Sequence, residues 1–490
     1  MKTKTLFYCI TLIFISNFYK SQTWQTTFGT NGNDYAYSIA KTPDRGYVIC
    51  GSSDGFPSLD SSAFIIKIDS VSNLIWSKSY KIGKEFNKFV SIAVAQDSSI
   101  IVGGENYGMS FYNSAIYKLN STGNISFTKK DTTRYSSVSR QIFIMPSNDY
   151  LIGGGTCARM SSNGSFIWSK YIGSDITTFD NLSDGNYVGA GGTGALSGYA
   201  SIVKFDNNGD TLWTRYFDNY GLIQSISANT NGYFYCIGYN GKISKFDNSG
   251  NIIWHKYTNL SSVSSTGKPK IIATSDGGAY VFGSYNGDYF LMKINGSGTI
   301  MWQKSYGTAP TTETLSDATI GFNNNLIMIG STNGFGATGD NIYIVATDSL
   351  GNTVCNQNPG LLPLPANDPF VFTSGTTLGN SNGFSNHIST TNTVALASNV
   401  VCSSVSVYEN SIKEKIISLY PNPNNGEFTI SSKTDIMLTI TNSFGQLIKS
   451  IYLTDKNGYK VSITDLKNGI YFINGNNKSS MIKEKIIITQ

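Results

Sequence analysis

The feature that most restricts what this chain can become is an internal repeat. A hydrophobic strand ends in Lys-x-Asp or a near variant, a turn of the form x-x-Gly-Asn follows, and the next strand carries an aromatic landmark. The landmarks are Trp76, Phe127, Trp168, Trp213, Trp254, Trp302 and, in substituted form, Cys355. Seven positions before them stand Asp69, Asn120, Ser161, Asp206, Asp247, Asn295 and Asp348. Trp24, followed by Phe28 and Gly29, is a half-copy, and from Trp24 to Cys355 the intervals are 52, 51, 41, 45, 41, 48 and 53 residues. A strand-ending glycine counts the same units independently: Gly51, Gly104, Gly154, Gly191, Gly238, Gly283 and Gly330. Self-similarity at this period means an array in which each unit buries its faces only against its neighbours.

Each interval has room for four strands, and segments such as FIIKID and LIWSKSY alternate apolar and polar residues as half-buried strands do. Repeats of ~40–50 residues with four antiparallel strands describe propeller blades. The expected fold is therefore all-β: a seven-bladed β-propeller with four-stranded blades over residues 22–355, followed by a small C-terminal β-sandwich. One indole per blade is expected to fill the space between sheets. The lone strand Thr23–Phe28 is expected to complete the seventh blade, with Trp24 in the slot that Cys355 leaves empty, although residues 352–356 offer an alternative strand.

Composition agrees. Of 490 residues, 40% are hydrophobic and only 14% charged, with 50 glycines and 11 prolines, which disfavours both disorder and a helical fold. The net charge of +5 divides unevenly: residues 1–22 carry three Lys and no acids, 413–490 ten Lys against six acids, and 23–412 have 23 basic against 25 acidic residues. A body so nearly neutral excludes a nucleic-acid partner. Residues 1–21 read as a signal peptide, with Lys2 and Lys4 before the apolar run Leu6–Phe18. No later segment is long enough to be transmembrane.

Chemistry-bearing motifs are sparse. His255 follows Trp254 as an ordinary strand residue and His387 lies in a polar segment, so neither supports a nucleophile triad. No spacing suits zinc, no cofactor motif appears, and the string from Asp206 to Asp210 is a turn rather than a calcium loop. The column Lys67, Lys118, Arg159, Lys204, Lys245 and Lys293 reads as a solvated strand face. Long second-to-third loops and blade connections all open at one end of the ring, where binding usually resides. Their aromatics Phe56, Tyr107, Phe111, Tyr112, Tyr199 and Phe335 are the candidate binding-face residues. Residues 356–412, rich in Asn, Ser, Thr and Pro, read as a polar linker or appendage. A bridge from Cys355 to Cys402 would close that segment against the propeller and leave Cys50, Cys157 and Cys236 free.

From Ile416 the style changes to LYPNPNNGEFTI, LTITNSFGQLI, ITDLKNGIYFI and KEKIIITQ. This stretch closely resembles the type A C-terminal sorting domain of the type IX secretion system of Bacteroidetes-like bacteria. The matching residues include Tyr420, Pro421, Asn422, Pro423, Asn424, Gly426, Phe428, Gly445, Leu466, Gly469, Tyr471 and Lys485. The resemblance implies a β-sandwich over 413–490 that addresses the folded cargo to the type IX machinery and is then removed by a surface sortase. It implies a secreted or outer-surface location. The expected function is binding or adhesion to an extracellular glycan or protein. The alternatives are a glycosidase or polysaccharide lyase with acids at the propeller axis, or a structural surface component with no discrete ligand.

Overall fold

The structure, a computed structural model, describes residues 23–489 apart from 57–61, 82–85, 108–111, 132–140, 173–174, 193–199, 218–220, 239–240, 259–266, 356, 360–365, 368–371, 375–378, 381–383, 387–389, 395, 404–416, 423, 443–445 and 478–479. Residues 1–21, expected to be a signal peptide, lie outside the described residues. The chain divides into two compact units, 1–405 and 406–490. Among the described residues there is no α-helix.

The first unit contains seven antiparallel sheets, each built on a four-stranded meander. The blades begin with the inner strands Asp34–Lys41, Phe86–Val94, Ile142–Ile144, Asp175–Asn181, Ile223–Ala228, Lys270–Ala273 and Glu313–Ile320. The seventh blade is completed by Trp24–Gly29, whose register pairs Trp24 with Ala346 and Phe28 with Ile342, so the first strand of the body and the last blade close the ring. Residues 352–355, the described part of the alternative, do not supply that strand.

Seven separate apolar clusters fill the seven joints between neighbouring sheets. Their bulk is Ile, Val, Phe and Tyr. Cys50, Cys157 and Cys236 are buried in three different joints and unbridged. The landmark aromatics border this space, each packed against the cluster of its own joint. Trp76, Phe127, Trp168, Trp213, Trp254 and Trp302 are half-buried at the turn end of each blade, and the ring lies flat on the turn glycine of the next blade. A Cβ on Gly123, Gly164, Gly209, Gly250, Gly298 or Gly351 would come within 2.8–3.0 Å of that ring, and all six glycines have positive φ. A bare, left-handed residue is the one that admits a flat aromatic at this approach. At the closing joint Ser72 takes the same left-handed position. Trp24 covers that turn, donating Nε1–H to Ser70 O at 3.1 Å, while Thr26 and Ser72 join hydroxyls at 2.8 Å.

The Lys column is a second seal, not a solvated face. Lys67, Lys204, Lys245 and Lys293 are only 6–8% exposed. Lys204 bonds Asp184 at 2.5 Å in its own blade and Asn248 O at 3.1 Å in the next, and Arg159 does the same with Asp149 and Asn207 O. The repeated Asp, Asn or Ser before each landmark caps its own turn: Asp206 Oδ1 accepts the N–H groups of Asn208 and Asp210. That is sufficient cause for a calcium-like string.

The described residues of 357–403 form short strands. Successive short strands of this segment add a fifth, antiparallel outer strand to every blade. They visit the ring in reverse order: Gln357–Pro359 on the sixth blade, then Ala366–Asn367, Phe372–Ser374, Gly379–Asn380, Phe384–Asn386 and Thr390–Thr393 on the fifth to the first, and Ala397–Ser403 on the seventh. Successive strands start five to nine residues apart, which is about 17–30 Å of extended chain. That length carries the segment from one blade edge to the next. The circuit begins at Cys355 and ends at Cys402, and these two form a disulfide. Gln25 sits at the crossing, pairing with Cys402 in the strand register and donating its side-chain amide to Cys355 O at 2.6 Å. The result is a covalent hoop around all seven blades.

The second unit pairs a three-stranded with a four-stranded sheet over a core that includes Ile417, Phe428, Leu438, Ile451, Ile473 and Ile486. This is the expected β-sandwich.

Candidate axial binding site

The inner strands build a cavity on the propeller axis. Its volume is about 160 Å³, and all seven blades line it. The lining follows from a local irregularity. In five inner strands the ladder shifts register after Ala36, Phe89, Ile176, Ile223 and Leu315, leaving Tyr37, Val90, Thr177, Gln224 and Ser316 as bulged residues. A bulge re-aims the side chain it carries, and all five line the cavity.

The strand-ending glycines explain why the bulges are tolerated. A Cβ on Gly51 would fall on Tyr35 O, one on Gly191 on Asp175 O, and one on Gly330 on Thr314 O. Each bulged residue lies fourteen positions before its glycine: Tyr37 before Gly51, Val90 before Gly104, Thr177 before Gly191, Gln224 before Gly238 and Ser316 before Gly330. Pro269, fourteen before Gly283, also lines the cavity. This constant offset is the sequence signal that locates the axial residues. The glycine column was visible as a count; its pairing with a strand irregularity was not.

The next residue along stitches blade to blade at six of the seven joints among the described residues. Ser91 Oγ accepts Ile142 N–H at 2.8 Å, Gln141 Oε1 accepts Phe179 N–H at 2.6 Å, Thr178 Oγ1 accepts Ile226 N–H at 3.2 Å, and Ser225 Oγ accepts Ile271 N–H at 3.2 Å. Asp317 holds this place in the seventh blade. Its carboxylate accepts Ser38 Oγ–H at 2.9 Å, Ile39 N–H at 3.2 Å and Ala318 N–H at 2.9 Å, and pairs with Lys270 at 3.1 Å. It is the one carboxylate among the lining residues. On the fourth blade, burial pushes the Asp180 carboxyl up, and it accepts the Ala228 N–H at 2.8 Å.

Of the six long-loop aromatics, two have described side chains, Phe56 and Phe335. Phe56 is 7% exposed and packs edge-on against Phe64, and Phe335 lies against Tyr343 with centroids 5.0 Å apart. Both pack their own loops. Tyr107 and Tyr112 face each other in the ladder at a hairpin end; Phe111 and Tyr199 lie outside the described residues. His255 is a buried strand residue whose Nδ1 meets Ser244 Oγ at 2.6 Å, and His387 lies outside the described residues. No group of three or more His, Cys, Asp or Glu gathers among the described residues.

In the second unit the tail motif ties the start of the sandwich to its end. Asn422 donates to Lys485 O at 2.7 Å and accepts Ile487 N–H at 3.0 Å, while the Asn424 backbone bonds Ile487 O and Thr489 N–H. Gly426 and Gly469 have positive φ. Phe428 and Leu466 are buried, Tyr420 and Pro421 are exposed, and Tyr471 donates to Lys467 O at 3.0 Å. Pro423 and Gly445 lie outside the described residues.

A closed ring of seven sheets with a polar axial cavity, followed by a separate sandwich, defines a β-propeller with a C-terminal β-sandwich unit. Residues 418–489 match the family model of the secretion system C-terminal sorting domain, which marks the chain for type IX export to the cell surface or medium. No helix among the described residues is long and apolar enough to cross a membrane. Solved structures similar to the chain include the WD40 propeller domain of Doa1 (12% identity, 66% of this chain and 96% of that one, TM-score 0.46). Two others are U3-55K (10%, 66% and 98%, 0.48) and BamB from Moraxella catarrhalis (16%, 63% and 82%, 0.37). No curated protein matches the chain.

Proposed function

We propose that the mature chain is a surface or secreted recognition module whose axial cavity takes up one polar end-group of an extracellular glycan. The observation that carries this reading is the convergence of one re-aimed residue from blade after blade on a single cavity. About 160 Å³ is below the ~300 Å³ at which drug-sized ligand pockets begin. It suits a single sugar ring or a terminal group. The lining offers hydroxyl, amide and ammonium groups (Ser38, Thr178, Gln224, Lys268 and Lys270 among them) and a single aromatic, Tyr37, a set that favours a hydroxylated ligand over an apolar peptide. Glycoside cleavage needs two carboxylates flanking one bond, and the lining supplies Asp317 alone, already engaged. Removal of residues 1–21, delivery by the type IX machinery of a Bacteroidetes-like cell and excision of the tail by its surface sortase complete the reading. A glycan array probed with the mature chain is the test. Binding that Gln224→Ala weakens at least tenfold is expected; binding indifferent to Gln224→Ala would move the site off the axis.

A further inference from the structure

We propose that the joint between the sixth and seventh blades holds a divalent cation of the calcium class on Asp288 and Glu313. Glu313 opens the inner strand of the seventh blade and is fully buried. Its Oε1 accepts hydroxyl hydrogen bonds from Thr311 and Thr332, both at 2.8 Å, while its buried Oε2 meets no donor. Asp288 opens the third strand of the sixth blade, straight after the Asn286-Gly287 turn. A Cβ on residue 307 would fall on both Glu313 Oε2 and Asp288 Oδ1, so the two carboxylate oxygens converge on one spot that Gly307 leaves bare.

Two carboxylate oxygens that converge, one of them fully buried, need a positive charge between them. Burial is the main cause that pushes both carboxyls upward, and neither takes part in an ion pair among the described residues. A proton or a cation would serve. The closing joint shows what the slot looks like without the second charge. There Asp34 stands where Glu313 does and Asn341 replaces Asp288, its side chain falling where a Cβ on Gly29 would lie. The amide there takes the place of one of the two facing carboxylates, although Asp34 Oδ1 is likewise without a donor and the Asp54 charge acts on it.

The chemistry favours a hard cation. Both fixed ligands are carboxylate oxygens, and the pair borders a cleft lined by Ser284, Asn286, Thr311 and Thr312, which leaves room for water in the rest of the shell. Calcium takes 6–8 oxygens, and extracellular modules hold it at ~10⁻⁴–10⁻³ M.

The test is thermal unfolding of the mature chain at neutral pH in EDTA, CaCl₂ or MgCl₂, with calcium titration calorimetry for stoichiometry. Calcium at ten times its Kd is expected to raise Tm by about 2 °C. Asp288→Asn, which copies the closing joint, should abolish that rise without lowering Tm in EDTA. Gly307→Ala should also abolish it, and Glu313→Gln serves if either variant fails to fold. A Tm unmoved by calcium, or a rise that persists in Asp288→Asn or Glu313→Gln, overturns the proposal. In the first case, an Asp288→Asn variant more stable than wild type at pH 8 but not at pH 5 would identify a shared proton in the cation's place.

Discussion

Cutting the hoop is the sharpest perturbation the architecture offers. Cys355 and Cys402 are 47 residues apart in sequence, and the segment between them pairs with every blade on its circuit. Closing a loop of that length in the unfolded chain removes entropy worth about 4 kcal/mol. Replacing both cysteines by serine returns that entropy to the unfolded state, and over a domain of this size the expected fall in Tm is about 5 °C. The loss should not be uniform. Five of the first six outer strands pair over only two or three residues, and the sixth, Thr390–Thr393, over four, whereas Ala397–Ser403 pairs along the full length of Trp24–Gly29. Short edge pairings open readily once their ends are free. Amide exchange should therefore rise first in the fourth strands of the third and fifth blades, whose outer partners have two residues each. The seventh blade should change least. Unfolding without reductant, followed by fluorescence and by exchange mass spectrometry, measures both effects. A Tm shift under 1 °C, or exchange that rises equally in inner and outer strands, would refute the hoop as a constraint on the ring.

Other expectations are direct. Trp24→Ala empties a fully buried site at the closing joint and should cost about 3–5 kcal/mol in chemical denaturation, more than the same change at half-buried Trp213. Gly298→Ala forces a left-handed backbone and a methyl 3.0 Å from the Trp254 ring, so a loss of about 1–3 kcal/mol is expected by the same assay. Burial works against the Asp276 carboxylate, but hydrogen bonds from Thr274, Lys293 and Gly278 outweigh it and hold the group at about 2, below its ordinary 3.8. A depressed carboxyl contributes stability above pH 4 that disappears as pH falls toward 2. Stability measured across that window should fall less steeply in Asp276→Asn than in wild type. Deleting residues 416–490 should leave a folded propeller that no longer reaches the surface or medium, as cell fractionation would show.

Much of this was legible in the residues because repetition amplifies a weak signal. Seven aromatic landmarks and seven strand-ending glycines count seven blades, and period-2 alternation makes them strands. The half-copy at Trp24 announces closure because a lone outer strand has nowhere else to pair. The tail motif is a local pattern, and its residues lie within one small sandwich. None of these readings needs a long-range contact to be known in advance.

What tertiary structure decided lies between the repeats. The Asn- and Ser-rich stretch after Cys355 has no apolar period, because an outer edge strand is held by backbone hydrogen bonds and presents little side chain to a core. Only the ring of open blade edges turns it into a hoop. The lysine column looks solvated along its own strand, yet Lys118, Lys204 and Lys245 reach carbonyls of the adjacent blade, while Lys67 and Lys293 bond carboxylates of their own. Phe56 and Phe335 look available on long loops until the loop folds over them. The axial residues are scattered at unremarked positions in the chain, and it is ring closure that brings them within one cavity. Order along the chain encodes the unit; what each unit touches is set by where its neighbour stands.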